Sequence, residues 1–142
     1  YYSDESFEIG KGKVLHEGKD ATIIAAGLQV APALDAASML EDEGISVRVV
    51  DIVTIKPIDR DLILDSARKT GLIVTSENGN IRGGLGSAVA EVTAEFCPTH
   101  ILFNGVKDRF GQVGGMDFLR EQYQLRAQDI AACVRQGIQQ KK

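Results

Sequence analysis

The chain alternates between short runs of apolar residues and longer stretches in which apolar residues recur at helical spacing. The runs at 20–27 and 45–54 contain few polar residues and are too short for helices, so they are typical of strands buried on both faces of a sheet. Between them, at 28–43, apolar residues recur every three or four positions and the stretch ends at Gly44, which predicts an amphipathic helix. Strand, helix and strand within about 35 residues predict a right-handed parallel crossover.

The same alternation continues to the end of the chain. Asp59 in the turn KPID predicts the start of a second helix, and Gly71 predicts its end. Further strands are predicted at 71–77 and 100–106, and further helices at 85–96, 116–125 and 126–140. The segment 10–18 turns directly into the first core strand, which predicts an antiparallel edge strand. The sequence therefore predicts an α/β fold: a three-layer α/β/α sandwich with a mostly parallel five-stranded sheet and one antiparallel edge strand.

Composition narrows the class of protein. The 142 residues, 44% hydrophobic and 25% charged, predict one globular domain over residues 1–142, and the opening without an initiator Met predicts a piece of a longer chain. With 16 Lys and Arg against 20 Asp and Glu and no dense basic cluster, nucleic acid is not an expected partner. No apolar stretch is long enough to predict a membrane span. Cys97 and Cys133 lack a metal-binding motif, which favours reduced thiols in a cytoplasmic protein.

The loop SENGNIRGGLGSAVAEV, residues 76–92, invites a phosphate-binding interpretation because it precedes a predicted helix. It lacks the third glycine of a dinucleotide fingerprint and the lysine of a phosphate-binding P-loop. Two interpretations stay open: an anion site at the helix N-terminus, or glycines that permit close packing. The candidate anion or interface loop consists of Glu77, Arg82, Gly83, Gly84, Gly86 and Ser87.

No complete catalytic constellation can be found in the sequence. Glu77 stands at a predicted strand end, but its nearest candidate partners, Asp108 and His100, belong to another strand and its loop, which favours an interface or loop-capping role. We therefore predict no catalytic residue, cofactor ligand or metal ligand in this chain. Asp108, Arg109 and Phe110 form a candidate interface in which Arg109 and Phe110 contact a partner; the alternative is a turn whose Phe110 tucks into the core.

Four segments in order, at 7–27, 47–59, 76–92 and 105–125, resemble the C-terminal domain of the transketolase family. The specific parts are the turn IKPID, the Glu-led loop ending GGLGSAVAE, and the late FG loop before a YQL helix. The stretch DRFGQVG looks most like the transketolase branch, especially bacterial two-subunit transketolases. The same type of domain closes 1-deoxyxylulose-5-phosphate synthases and the beta subunits of 2-oxoacid dehydrogenases, so these remain alternatives.

The resemblance implies a parent enzyme that transfers two-carbon ketol units between sugar phosphates in the pentose phosphate pathway. In the family, thiamine diphosphate and a divalent metal, Mg²⁺, bind between two larger preceding domains, across a dimer interface. The resemblance thus implies a cytoplasmic homodimer in which this domain binds no cofactor. Its partners would be the preceding cofactor-binding domains or a separate N-terminal subunit, and its role would be to brace them. An alternative of another class is a small-anion-binding regulatory module.

Overall fold

The computed structural model describes residues 7–141, so the first six residues, which include much of the opening that suggests a longer chain, lie outside the described part. The described strands are β1 (Lys13–His16), β2 (Ala21–Ala25), β3 (Val47–Asp51), β4 (Leu72–Asn80) and β5 (His100–Val106). The described helices are α1 (Val30–Glu41), α2 (Arg60–Thr70), α3 (Leu85–Phe96), α4 (Met116–Gln122) and α5 (Ala127–Gln140), with a 3₁₀ turn (Gly27–Gln29) before α1.

The five strands form one sheet in the order β1-β3-β2-β4-β5. β3, β2, β4 and β5 run parallel, and β1 pairs antiparallel with β3 at one edge. The predicted α/β class, the mostly parallel five-stranded sheet and the antiparallel edge strand are therefore confirmed. Within residues 7–141, none of the helices is both long and apolar enough to cross a membrane.

Alternate residues of each central strand face opposite sides of the sheet, which creates two separate cores. Ile23 packs with Leu40 of α1 and Ile130 of α5 on one side. Ile24 packs with Leu85 of α3 on the other, where α2 also lies. Each large aliphatic side chain that is fully buried in this way contributes roughly 1.5–3 kcal/mol relative to its exposed state. The two cores make the sheet the middle of three layers, as predicted.

The helix boundaries follow the signals in the sequence. The Asp59 side chain accepts a hydrogen bond from the Leu62 N–H and caps α2, and Gly71 ends that helix with φ 64°, a conformation that favours glycine. α3 and β5 have the predicted bounds. The strand expected at 71–77 continues to Asn80, and the strand expected at 45–54 is shorter, because residues 52–58 form a loop.

The direction of the crossovers determines where a site can form. The chain leaves β2 for α1 on one face and leaves β4 for α3 on the opposite face, although β2 and β4 are neighbours in the sheet. Their carboxyl ends consequently open a crevice between the two departing loops. In open α/β sheets this point of reversal is where ligands bind.

Candidate functional site

Glu77 occupies the N-terminus of α3. β4 carries its side chain to the carboxyl edge of the sheet, where it is only 7% exposed. Its Oε2 accepts a hydrogen bond from the Leu85 N–H and its Oε1 one from the Gly86 N–H, each at 2.9 Å. A carboxylate at this position satisfies two otherwise unpaired N–H groups and lies at the positive end of the helix dipole. The protein's own anion thus fills the place that an external phosphate would take.

Two glycines of the loop allow the backbone to come close to its neighbours. A Cβ on Gly84 would overlap the Glu77 carboxylate and lie 2.9 Å from the Asn80 carbonyl oxygen. A Cβ on Gly86 would overlap the ring of Phe103. Both positions therefore need glycine for packing, which is the second of the two interpretations that the sequence left open.

The rest of the glycine loop is held by local hydrogen bonds. The Gly83 N–H donates to Ser87 Oγ at 2.9 Å, and Ser87 Oγ lies 3.4 Å from the Ile81 carbonyl oxygen. The Arg82 N–H donates to Asn80 Oδ1 at 2.9 Å, while its guanidinium makes no ion pair with any residue between 7 and 141. Only Arg82 of this loop remains free for an anion or a partner, and that role stays a prediction.

A buried polar row crosses the same edge of the sheet, and the sequence interpretation missed it. The hydroxyl of Ser76, in the middle of β4, lies 3.2 Å from Gln29 Oε1 and 3.1 Å from Asn104 Oδ1. Asn104 Nδ2 in turn donates to the Gln124 carbonyl oxygen at 2.8 Å. The available signal was a serine and an asparagine near the ends of two otherwise apolar predicted strands.

The candidate interface at 108–110 is exposed. The Phe110 side chain is 98% exposed, so the alternative in which it tucks into the core is wrong. The Arg109 guanidinium lies 4.5 Å from the centre of the Tyr123 ring and donates to the Gln122 carbonyl oxygen. Tyr123 Oη donates to the Phe110 carbonyl oxygen at 3.2 Å. The loop is therefore fixed at its base and presents the aromatic ring outward; contact with a partner stays a prediction.

The partners considered for Glu77 do not approach it. His100 begins β5 at the opposite edge of the sheet, where its Nε2 lies 3.0 Å from Gln140 Oε1. Asp108 is exposed in the loop after β5. Among the described residues, no three His, Cys, Asp or Glu side chains are grouped so that they could hold a metal ion.

Neither cysteine is in a disulfide, and Cys133 lies partly buried on α5. Burial raises the pKa of the Cys133 thiol, because the low-dielectric surroundings disfavour the thiolate. A raised pKa makes a thiol a poorer nucleophile at neutral pH. This environment therefore does not activate Cys133 for catalysis.

The crevice at the reversal point is a cavity of about 250 Å³. Apolar side chains from the turn after β2, the end of β5 and α4 form much of its wall: Leu28, Val106, Met116 and Leu119. Four polar side chains also line it: Gln29, Asn78, Gln112 and Arg120. Five large apolar residues on these loops and on α4 are half exposed or more: Leu28, Phe110, Val113, Met116 and Phe118. A cluster of this kind is typical of a surface that another protein surface covers.

A second, more open groove of about 650 Å³ lies between the start of α2 and the length of α3. Arg60 stacks over the ring of Phe96 there, at 5.0 Å from its centre, and Glu91 and Glu95 line the wall. Of its charged lining residues, Asp59 is buried and caps α2, whereas Lys11, Arg60, Asp61, Glu91 and Glu95 are exposed. This groove offers less enclosure than the crevice at the carboxyl edge.

Comparison with known proteins gives one consistent family. The family model described as "Transketolase, C-terminal domain" matches residues 10–134. The 6-deoxy-6-sulfo-D-fructose transketolase subunit SqwH of Clostridium sp. (strain MSTE9) is 44% identical over 138 residues, which are 97% of this chain and 43% of that protein. The 1-deoxy-D-xylulose-5-phosphate synthase of Syntrophotalea carbinolica is 45% identical over 134 residues, 94% of this chain and 21% of that protein.

A solved structure described as "Split gene transketolase, inactive beta4 tetramer" has the same fold. It superposes with a TM-score of 0.95 and 49% identity, and the match covers 100% of this chain and 46% of that one. The chain therefore spans less than half the length of these relatives.

Proposed function

This chain belongs to the transketolase C-terminal domain family, and from this membership we propose that it is the non-catalytic domain that braces a thiamine diphosphate-dependent transketolase. The parent enzyme transfers two-carbon ketol units between sugar phosphates, in the cytoplasm and in the pentose phosphate pathway. Its partners are the preceding cofactor-binding domains or a separate N-terminal subunit, and the parent acts as a homodimer.

The bracing role is supported above all by the apolar surface at the carboxyl edge of the sheet. Phe110 and Val113 are almost fully exposed there, and Met116 and Phe118 are half exposed. Leaving such side chains in water is unfavourable, and burying each against another surface contributes roughly 1.5–3 kcal/mol. The site region contains no titrating pair beside Glu77, which supports placing the chemistry in other segments of the parent.

The glycine loop before α3 does not fit a diphosphate. The glycine loop before α3 resembles a phosphate site in sequence, but the Glu77 carboxylate already accepts the N–H groups of Leu85 and Gly86. A diphosphate at this position would meet a like charge and no free donors from these two residues. We therefore derive no step of the reaction through thiamine diphosphate or Mg²⁺ in this domain, and propose that both bind elsewhere in the parent.

Two other branches of the superfamily remain as alternatives to transketolase for the parent enzyme. A transketolase subunit and a 1-deoxy-D-xylulose-5-phosphate synthase match the chain at nearly equal identity, 44% and 45%. The third candidate, a 2-oxoacid dehydrogenase beta subunit, would also contact an acyltransferase core. The domain's bracing role is the same in all three cases, whereas the substrates differ.

The experiment that tests the proposal is an assay of the parent enzyme with thiamine diphosphate and Mg²⁺. Ketose phosphate cleavage with transfer of a two-carbon unit is expected. Decarboxylation of a 2-oxoacid instead would move the parent to a synthase or dehydrogenase branch, and capture of an acyltransferase core would identify the latter. A calorimetric titration of this chain alone with thiamine diphosphate and Mg²⁺ is expected to give no saturable heat; saturable binding would contradict a non-catalytic domain.

A further inference from the structure

The buried row at Ser76 determines how the Gln29 amide is oriented. A hydroxyl carries a single proton, yet the amide oxygens of Gln29 and Asn104 both lie within 3.2 Å of Ser76 Oγ. Asn104 is fixed, because its Nδ2 donates to the Gln124 carbonyl oxygen. Ser76 therefore donates to Asn104, and Gln29 must turn its amide nitrogen toward Ser76, an exchange of O and N that preserves the shape of the side chain. The Gln29 oxygen is then left as an acceptor.

The Gln29 side chain is part of the crevice wall. Gln29 is only 1% exposed, and it lines the cavity of about 250 Å³ at the carboxyl edge. With its amide reversed, the Gln29 oxygen can accept a hydrogen bond from water or from a group that enters the crevice.

Arg120 supplies an unpartnered group in the same wall. Its Nε is buried and has no hydrogen-bond partner among the described residues, and its guanidinium makes no ion pair with any of them. A guanidinium recognises a carboxylate through charge-assisted hydrogen bonds. The crevice thus combines a largely apolar wall with side-chain amides and one cationic donor.

The surroundings favour a protein segment over a small molecule. A molecule that fills about 250 Å³ would leave Phe110 and Val113 in water, since they flank the crevice on the loop after β5. The loops at the carboxyl edge also carry four exposed cations against one exposed carboxylate: Lys56, Arg82, Lys107 and Arg109 against Asp108. Two further carboxylates there, Asp59 and Glu77, are buried and accept hydrogen bonds from helix N–H groups. The chain as a whole has a net charge of −4, so this edge is the exception. An acidic, apolar surface complements it.

We propose that this crevice is the docking pocket for a segment of the remaining transketolase polypeptide that inserts an apolar side chain and presents a carboxylate to Arg120. The inference rests on the proposed function and specifies where the bracing contact is made. The relatives contain further polypeptide that could supply this segment. The match with SqwH covers 97% of this chain but only 43% of SqwH, and the match with the split gene transketolase covers 46% of that chain. A backbone or side-chain donor of the same segment would satisfy Gln29.

Hydrogen exchange of the parent enzyme, compared with this chain alone, tests the pocket. Peptides that cover 106–120 are expected to exchange about tenfold more slowly in the parent, because docking suppresses the local opening that exposes their backbone amides to water. In the parent, R120Q is expected to restore much of the fast exchange. The matched control R68Q removes an exposed arginine of α2 and should leave the exchange unchanged.

The outcomes separate this inference from the proposed function. Protection confined to peptides of the open groove, at 55–61 and 91–96, would leave a bracing domain but overturn the pocket. No protection anywhere in the domain would overturn both the docking pocket and the bracing role. Protection of 106–120 that appears in this chain alone with sodium acetate or inorganic phosphate would assign the crevice to a free anion and would also overturn the docking segment.

Discussion

The carboxylate of Glu77 lies in the space that a side chain at Gly84 would need. This contact explains why the loop before α3 contains glycine at position 84. The same carboxylate caps the helix through two N–H groups. A single acidic residue therefore determines both the conformation of the loop and the charge at the start of α3.

The first prediction concerns Gly84. G84A is expected to lower the free energy of unfolding by about 1–3 kcal/mol, because the new Cβ displaces the Glu77 cap. Urea denaturation followed by circular dichroism measures the change. G115A is the matched control, since no atom lies within 4 Å of a Cβ built there and its φ is −65°. Equal stability of the two variants would contradict the packing role of Gly84.

The second prediction concerns the anion alternative. Titration of the wild-type chain with inorganic phosphate is expected to give no saturable binding, because Glu77 occupies the N-terminus of α3. E77A removes that carboxylate and should allow weak phosphate binding at the freed N–H groups. Chemical shifts of the Leu85 and Gly86 amides report it. Saturable binding by the wild type at these amides would instead support the anion-binding module.

The third prediction concerns pH. The hydrogen bonds from Arg135 lower the pKa of the Glu43 carboxyl, which links α5 to the end of α1. A lowered folded-state pKa stabilises the protein above the unfolded-state pKa, and this contribution is lost as the pH falls through the folded-state value. E43Q should therefore flatten the acid side of a Tm-against-pH curve slightly, because the pair is exposed. E95Q, an exposed carboxylate on α3, serves as the control; equal curves for both variants would refute the link.

The fourth prediction concerns Cys133. Burial raises the pKa of its thiol, so less thiolate is present at pH 8 in the folded chain. Alkylation by iodoacetamide, followed by peptide mass spectrometry, should be several times slower in buffer than in urea, and it should accelerate as the pH rises above 8. Similar rates in both solvents would show that the thiol is accessible and unperturbed.

The fifth prediction concerns Phe110. F110S is expected to change the stability of this chain by less than about 0.5 kcal/mol, because the side chain is 98% exposed. In the parent enzyme the same change should weaken the contact between this domain and the other segments, measured as a lower Tm of the parent at fixed protein concentration. K19S, an exposed position at the amino end of β2, is the control. A stable parent with F110S would argue against an interface at this loop.

The alternation of apolar runs and amphipathic stretches was sufficient to predict the order of all five strands and five helices. Strands that are buried on both faces appear in the sequence as continuous apolar runs. Asp59 and Gly71 mark the two ends of α2, because capping depends only on residues close in sequence. The extension of β4 to Asn80 could not be predicted, because its last residues are polar and exposed and pair with β5 only through an irregular register.

The site could be predicted only in part, because it depends on contacts between distant segments. Glu77 was identified as a strand-end residue, but its acceptance of the Leu85 and Gly86 N–H groups requires a loop that turns back on itself. Gln29, Ser76 and Asn104 come from three separate segments whose meeting depends on strand order and register. Whether Phe110 is buried or exposed depends on the path of a loop, which periodicity does not encode.

β1 limits how copies of this chain can pair through this edge of the sheet. β1 has only four residues, and its pairing with β3 shifts register between Val14 and His16. A short and irregular edge strand offers few consecutive free backbone groups to an incoming strand. It therefore disfavours the edge-to-edge strand pairing through which exposed sheets aggregate. At this edge of the sheet, association by strand addition is therefore disfavoured.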